Sequence, residues 1–284
     1  MLNLPLDVVY KKIVQTGKLA EKLGAKILGL GAFTSVVGDG GITIAKQLDI
    51  PVTSGDSYTV AVAVEAVVKA AQMLDVDLTK AKGAVVGATG AIGRVCAQLL
   101  AQNVPELLLI GRRNNSLNEV KCLVDQSGTA RVKVSTSIED LKQAEVIITV
   151  SSAVESIIQP DHLKSGAVVC DVARPRDVSW QIAKKRKDVL VIDGGIVEVP
   201  GPVNFNFDFG FPAKMTFACM AETMILAMAQ KYENFTLGKE IALSQVQEID
   251  RLAKSHGFRL GGLRSFETPV TDSYLESVKA HIKI

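Results

Sequence analysis

Leu, Val and Ile recur at helical spacing over about residues 5–23, and this spacing predicts a first helix. Residues 25–33 (AKILGLGAF) read as a short buried strand with a Gly-rich exit. A helix near 39–48 and an extended stretch at 50–53 follow. The cap-type residues of 54–59 (SGDSYT) precede a long Val/Ala helix ending near Leu74. After the polar connector 75–82 the pattern changes. Short apolar runs at 83–87, 106–111, 131–135, 145–152, 166–173 and 188–195 read as strands, with helices at 91–103 and 116–126 between the early ones. Apolar strands separated by helices predict parallel βαβ units with helices on both faces. Beyond Gly201 a Phe- and Asn-rich stretch leads to helical patterns at about 213–233 and 238–256.

The fold class expected is α/β: a Rossmann-type doubly wound parallel sheet, with a smaller α/β domain formed by the N-terminal segment and the C-terminal helices. A chain of 284 residues has room for about two domains. The reading divides it into 1–79, 80–203 and 204–284, the last part returning to the first domain.

Composition narrows the function classes. The chain is 48% hydrophobic with a net charge of +2, which excludes disorder as its main state and gives no case for binding nucleic acid. The most apolar segment, from Tyr58, is interrupted by Glu65 and Lys69 before it could span a bilayer. The N-terminal residues lack the pattern of a signal peptide. A cytoplasmic, reducing setting is expected, with free thiols. Cys96, Cys122, Cys170 and Cys219 form no CxxC pair, and the three His residues lie far apart, so neither a metal site nor a disulfide framework is expected.

The strongest motif is Val85–Gly93 (VVGATGAIG), placed between a predicted strand and a predicted helix. Glycines let a backbone turn approach a pyrophosphate, and the helix N-terminus offers free N–H groups. The spacing is GxxGxxG, with Thr89 where the common pattern has its middle glycine. Candidate cofactor residues are Gly87, Ala88, Thr89, Gly90, Ala91 and Ile92, with Thr149, Val150 and Ser151 at a later strand end. An NAD site wants an acid about 20 residues on. Here the second strand ends in Arg112 and Arg113, which suit a 2′-phosphate and point to NADPH.

Among the thiols, Cys96 and Cys170 lie in apolar runs and read as core, and nothing marks Cys122. Cys219 stands near the start of a predicted helix, where the helix N-terminus or Lys214 would lower its pKa. Packing in the core is the competing reading. The run Lys184–Lys187 could dock an acidic carrier, although such runs are more often solvated helix ends.

Six stretches then carry a resemblance: Gly31–Val37, Thr53–Val64, Ala84–Gly93, Val191–Glu198, Phe217–Ala227 and Glu233–Ile241. In this order, from about residue 25 to 257, the chain resembles the cyanobacterial long-chain acyl-(acyl-carrier-protein) reductases. It reads as a shorter relative without their N-terminal segment, and the residues from Gly261 on fall outside the likeness. The resemblance implies NADPH-dependent reduction of a fatty acyl thioester to an aldehyde through an acyl-cysteine. It places the nucleophile at Cys219 and the acyl donor on acyl carrier protein or CoA. Ser35, Asp56, Ser57 and Thr59 become candidate substrate residues, with helix capping the alternative for Ser57. Glu222 is set aside, because a carboxylate near the thiol would raise its pKa. Two rivals stay open: a shikimate-dehydrogenase-like NADP-dependent oxidoreductase without cysteine chemistry, and a non-catalytic NADP-binding regulatory protein. A homo-oligomer is also left open.

Overall fold

The computed structural model describes residues 4–127, 130–208 and 210–282. The chain begins with α1 (Leu6–Lys22), β1 (Leu28–Gly29), α2 (Phe33–Val36), α3 (Ile42–Ala45), β2 (Val52–Thr53) and α4 (Asp56–Met73). It continues with β3 (Lys82–Val86), α5 (Ala91–Leu100), β4 (Glu106–Ile110), α6 (Asn114–Ser127), β5 (Arg131–Ser135), β6 (Val146–Thr149), β7 (Val168–Asp171), α7 (Trp180–Lys185) and β8 (Leu190–Asp193). The last elements are β9 (Ile196–Glu198), β10 (Met215–Phe217), α8 (Ala218–Met228), α9 (Leu243–His256), β11 (Arg259–Leu260), β12 (Arg264–Ser265), β13 (Thr268–Pro269) and α10 (Asp272–His281).

Two units share these elements. One comprises residues 1–61 and 196–261, the other residues 62–195 and 262–284. The first boundary therefore falls inside α4 and not at the 75–82 connector. The C-terminal tail joins the second unit, whereas the sequence reading assigns it to the first.

The second unit is the expected doubly wound sheet. Its six strands run in the order β5-β4-β3-β6-β7-β8, every pairing parallel. The strands β6, β7 and β8 are buried throughout, as two-sided coverage demands. The chain order reverses between β3 and β6, so the crevice at their carboxyl ends is where such folds bind ligands. The tail adds the β12–β13 hairpin and α10, which the hydrophobic pattern does not predict.

The first unit pairs β1 with β2 in parallel, and β9 antiparallel with both β10 and β11. Val9, Ile13 and Val14 of α1 join Leu30, Ile44 and Val52 in its core. The helix expected at 213–233 begins only at Ala218. Pro212 and a left-handed Lys214 (φ 69°) precede the strand pairing of Met215–Phe217, which holds those residues extended. The helix expected near 39–48 shrinks to four residues, because Gly38, Gly40 and Gly41 take positive φ.

Candidate functional site

In the second unit, the ends of β3, β4 and β6 enclose a pocket of about 600 Å³ lined by Gly87, Thr89, Gly90, Arg112, Val150 and Ser151, among others. That volume suits a cofactor-sized ligand. Gly87 turns with φ 77°, and a Cβ on Gly93 would lie 2.3 Å from the Gly87 carbonyl oxygen, so strand and helix meet closely only with glycine there. Gly90 caps α5 with no side-chain hydrogen bond, which leaves the helix N-terminus to an anion. Thr89, at the departure from the common motif, is accommodated as a lining residue.

The remaining sequence candidates occupy other positions. Ala88 is buried, and Ala91 and Ile92 open α5. Thr149 is buried with its hydroxyl on Asp177. Arg113 is exposed beside α6, and its carbonyl accepts the Leu117 N–H at 3.1 Å. Ser152 follows the predicted strand end into the pocket, whereas Thr136, Ile138, Ala153 and Ile157 also line it and carry no glycine or charge signal in the sequence. The basic run is largely a solvated helix end. Its Arg186 folds back onto Asp188 and onto the carbonyls of Pro160 and Leu163.

In the first unit, Cys219 is the second residue of α8 and partly exposed. The turn before α4 packs onto it: a Cβ on Gly55 (φ 80°) would lie 2.4 Å from Cys219 Cα and carbonyl oxygen. Glu222, one helical turn after Cys219 and fully buried, clasps that turn. Its carboxylate accepts the Tyr58 N–H at 2.8 Å, the Thr236 hydroxyl at 2.9 Å and the Thr53 hydroxyl. Thr236 Oγ1 also lies 2.7 Å from Ser57 Oγ. Glu222 is thus a site residue that the sequence reading set aside, identifiable only once β2, α4 and α8 are brought together.

The charges around Cys219 act against the expected low pKa. Burial pushes the thiol up to about 11, followed by the Asp56 charge; the Met220 N–H opposes the shift, and Glu222 adds a smaller rise. Lys214 does not offset them. Burial, then the Glu222 charge, raises Asp56 to about 7, and burial raises Glu222 as well. Asp56 and Ser57 therefore belong to the surroundings of Cys219. The Thr59 hydroxyl donates to the Gly55 carbonyl at 2.9 Å, and that of Ser35 to Ala32 at 2.8 Å, so both serve the local backbone. Cys96 and Cys170 are fully buried, with Cys96 raised to about 12 and Cys170 higher than usual. Cys122 is exposed. Among the described residues no cluster of His, Cys, Asp or Glu could hold a metal ion, and no helix is long and apolar enough to cross a membrane.

Sheet order, glycine turn and crevice pocket together define a dinucleotide-binding unit of the Rossmann type. The family described as shikimate / quinate 5-dehydrogenase matches residues 43–194, more than half of the chain, and the chain belongs to that family. NADPH, the cofactor read from the sequence, agrees with this membership and with Arg112 in the pocket. Aminotransferase PigE of Serratia sp. is 34% identical over 249 residues, which is 86% of this chain. The chain spans only 29% of that protein's length. A long-chain acyl-(acyl-carrier-protein) reductase of Synechococcus elongatus is 29% identical over 264 residues, covering 88% of this chain and 75% of the reductase. L-tryptophan dehydrogenase from Nostoc punctiforme aligns over 98% of this chain and 72% of its own, at 18% identity and a TM-score of 0.43.

Proposed function

We propose that the chain reduces a fatty acyl thioester, carried on acyl carrier protein or CoA, to an aldehyde through an acyl group on Cys219. The observation that carries this reading is the placement of Cys219: partly exposed, in the first turn of α8, with the glycine turn before α4 packed against its backbone. The relative that reduces acyl-carrier-protein thioesters, aligned over most of both chains, supports it.

Under this reading the Cys219 sulfur attacks the thioester carbonyl, the bond to the carrier sulfur breaks, and the Cys219 proton ends on the departing thiol. With the thiol raised to about 11, the resting Cys219 is protonated, and the attack requires loss of that proton. NADPH, when bound, supplies the hydride that the reduction consumes. Collapse of the tetrahedral alkoxide releases the aldehyde and returns Cys219 as thiolate, which takes a proton from water. Glu222 and the turn it holds keep Cys219 and Asp56 in register.

A second reading, an oxidoreductase of the shikimate-dehydrogenase kind acting without cysteine chemistry, is favoured by the family match and by the protonated thiol. Intact-protein mass spectrometry after incubation with acyl-CoA and acyl-carrier-protein donors of several chain lengths separates the two. An acyl adduct on the wild type that is absent from Cys219→Ser supports the thioester reading. No adduct with any donor overturns it in favour of the second.

A further inference from the structure

Asp177 is fully buried, and its carboxylate is committed to the exit of β6. Oδ1 accepts the Ser151 hydroxyl at 2.5 Å, and Oδ2 accepts the Ser151 N–H at 2.8 Å together with the Thr149 hydroxyl. Ser151 Oγ in turn accepts the Ala153 N–H at 3.1 Å, so one carboxylate orders the turn from Thr149 to Ala153. Asp177 is itself fixed. Its carbonyl accepts the N–H groups of Ile157 and Ile158, each at 2.9 Å. Asp171 at the end of β7 receives the N–H groups of Asp177 and Val178, at 3.4 and 3.1 Å.

The glycine turn rests on the backbone that Asp177 orders. A Cβ on Gly87 would lie 2.9 Å from Ser151 Cα, Ser151 N and the Val150 carbonyl oxygen. Gly87 and Ser151 also line the same pocket. A change in the position of Ser151 therefore moves the seat of the first glycine of the phosphate-binding turn. Buried carboxylate hydrogen bonds hold such a seat firmly, because a released N–H or hydroxyl would be left without a partner.

We propose that Asp177 is a positioning residue of the cofactor site, setting the affinity for NADPH through Ser151 and Gly87 without lining the pocket itself. The inference rests on NADPH as cofactor and is independent of the thioester reading.

The test is the NADPH dissociation constant of the substrate-free full chain, followed by cofactor fluorescence, with thermal unfolding recorded in parallel. Asp177→Ala is expected to raise the constant by about tenfold or more, and Ser151→Ala to raise it in the same direction. The double variant is expected to be no weaker than Asp177→Ala alone, because the two residues act in one series. A loss that only reflects a weakened fold would instead scale with the fall in Tm and would multiply with the Ser151→Ala effect; either result overturns the proposal. If Asp177→Ala does not fold, Asp177→Asn and Ser151→Ala decide: binding within about twofold of wild type in both overturns it. A wild type that binds no NADPH overturns it as well, whatever thioesters do to Cys219.

Discussion

Gly55 and Cys219 touch backbone to backbone, so nothing larger than hydrogen fits between the turn before α4 and the first turn of α8. An added methyl meets a main chain that cannot yield, on a residue already at φ 80°. Gly55→Ala is expected to destabilise the protein by roughly 2–4 kcal/mol, from overpacking and left-handed strain together. It should also slow alkylation of Cys219. Denaturant unfolding and mass-resolved iodoacetamide labelling measure the two effects; wild-type values in both would show that the turn does not constrain Cys219.

The thiol should behave as a weak nucleophile in the resting protein. Labelling of Cys219, in a Cys122→Ser background that removes the exposed competitor, is expected to rise with pH toward a midpoint of about 11. Asp56→Asn removes a neighbouring negative charge and should lower that midpoint. A wild-type midpoint below the ordinary value of 9.0 would contradict the placement of the two carboxyls.

Asp56 also links stability to pH. In the unfolded chain it ionises near 3.8, in the folded protein near 7. Between those values the folded state holds a proton that the unfolded state has released, so this group's contribution falls as pH rises, and the penalty is complete above about 7. Asp56→Asn should stabilise the protein at pH 8, by on the order of 2 kcal/mol, and give no such gain near pH 4. Unfolding curves at the two pH values check the sign.

Arg112 and Arg113 are adjacent in sequence but unequal in placement. Only Arg112 lines the pocket. Arg112→Ala is expected to weaken NADPH binding about 10–100-fold while sparing NADH, as loss of charged hydrogen bonds to a 2′-phosphate would do. Arg113→Ala should leave both constants near wild type. Titration of each variant with both cofactors provides the comparison.

How legible these features were in the sequence depended on whether their signal was local. The parallel sheet could be read from its apolar runs, since a strand buried on both faces is almost continuously hydrophobic, as Val146–Ile148 and Leu190–Ile192 are. The phosphate turn could be read because glycine spacing reports backbone geometry directly. The environment of Cys219 could not. Asp56 lies far from it in the chain, and Thr53, Thr236 and Glu222 meet only through tertiary contact, so the helix-end argument for a lowered pKa met charges that no local pattern shows. The extended Met215–Phe217 failed for the same reason: its partner strand β9 lies upstream, across a loop.

The interleaving of the two units bears on how the protein is made. The first unit needs residues 1–61 together with 196–261, and the second takes its final hairpin and helix from 262–284. During synthesis residues 1–61 therefore emerge well before their partners at 196–261, with the whole parallel sheet made in between. The six-stranded sheet can form first, and the Cys219 region is completed only after α8 has followed it. Premature termination after β8 would leave the parallel sheet attached to residues 1–61 without β9, β10 and α8, which complete their unit.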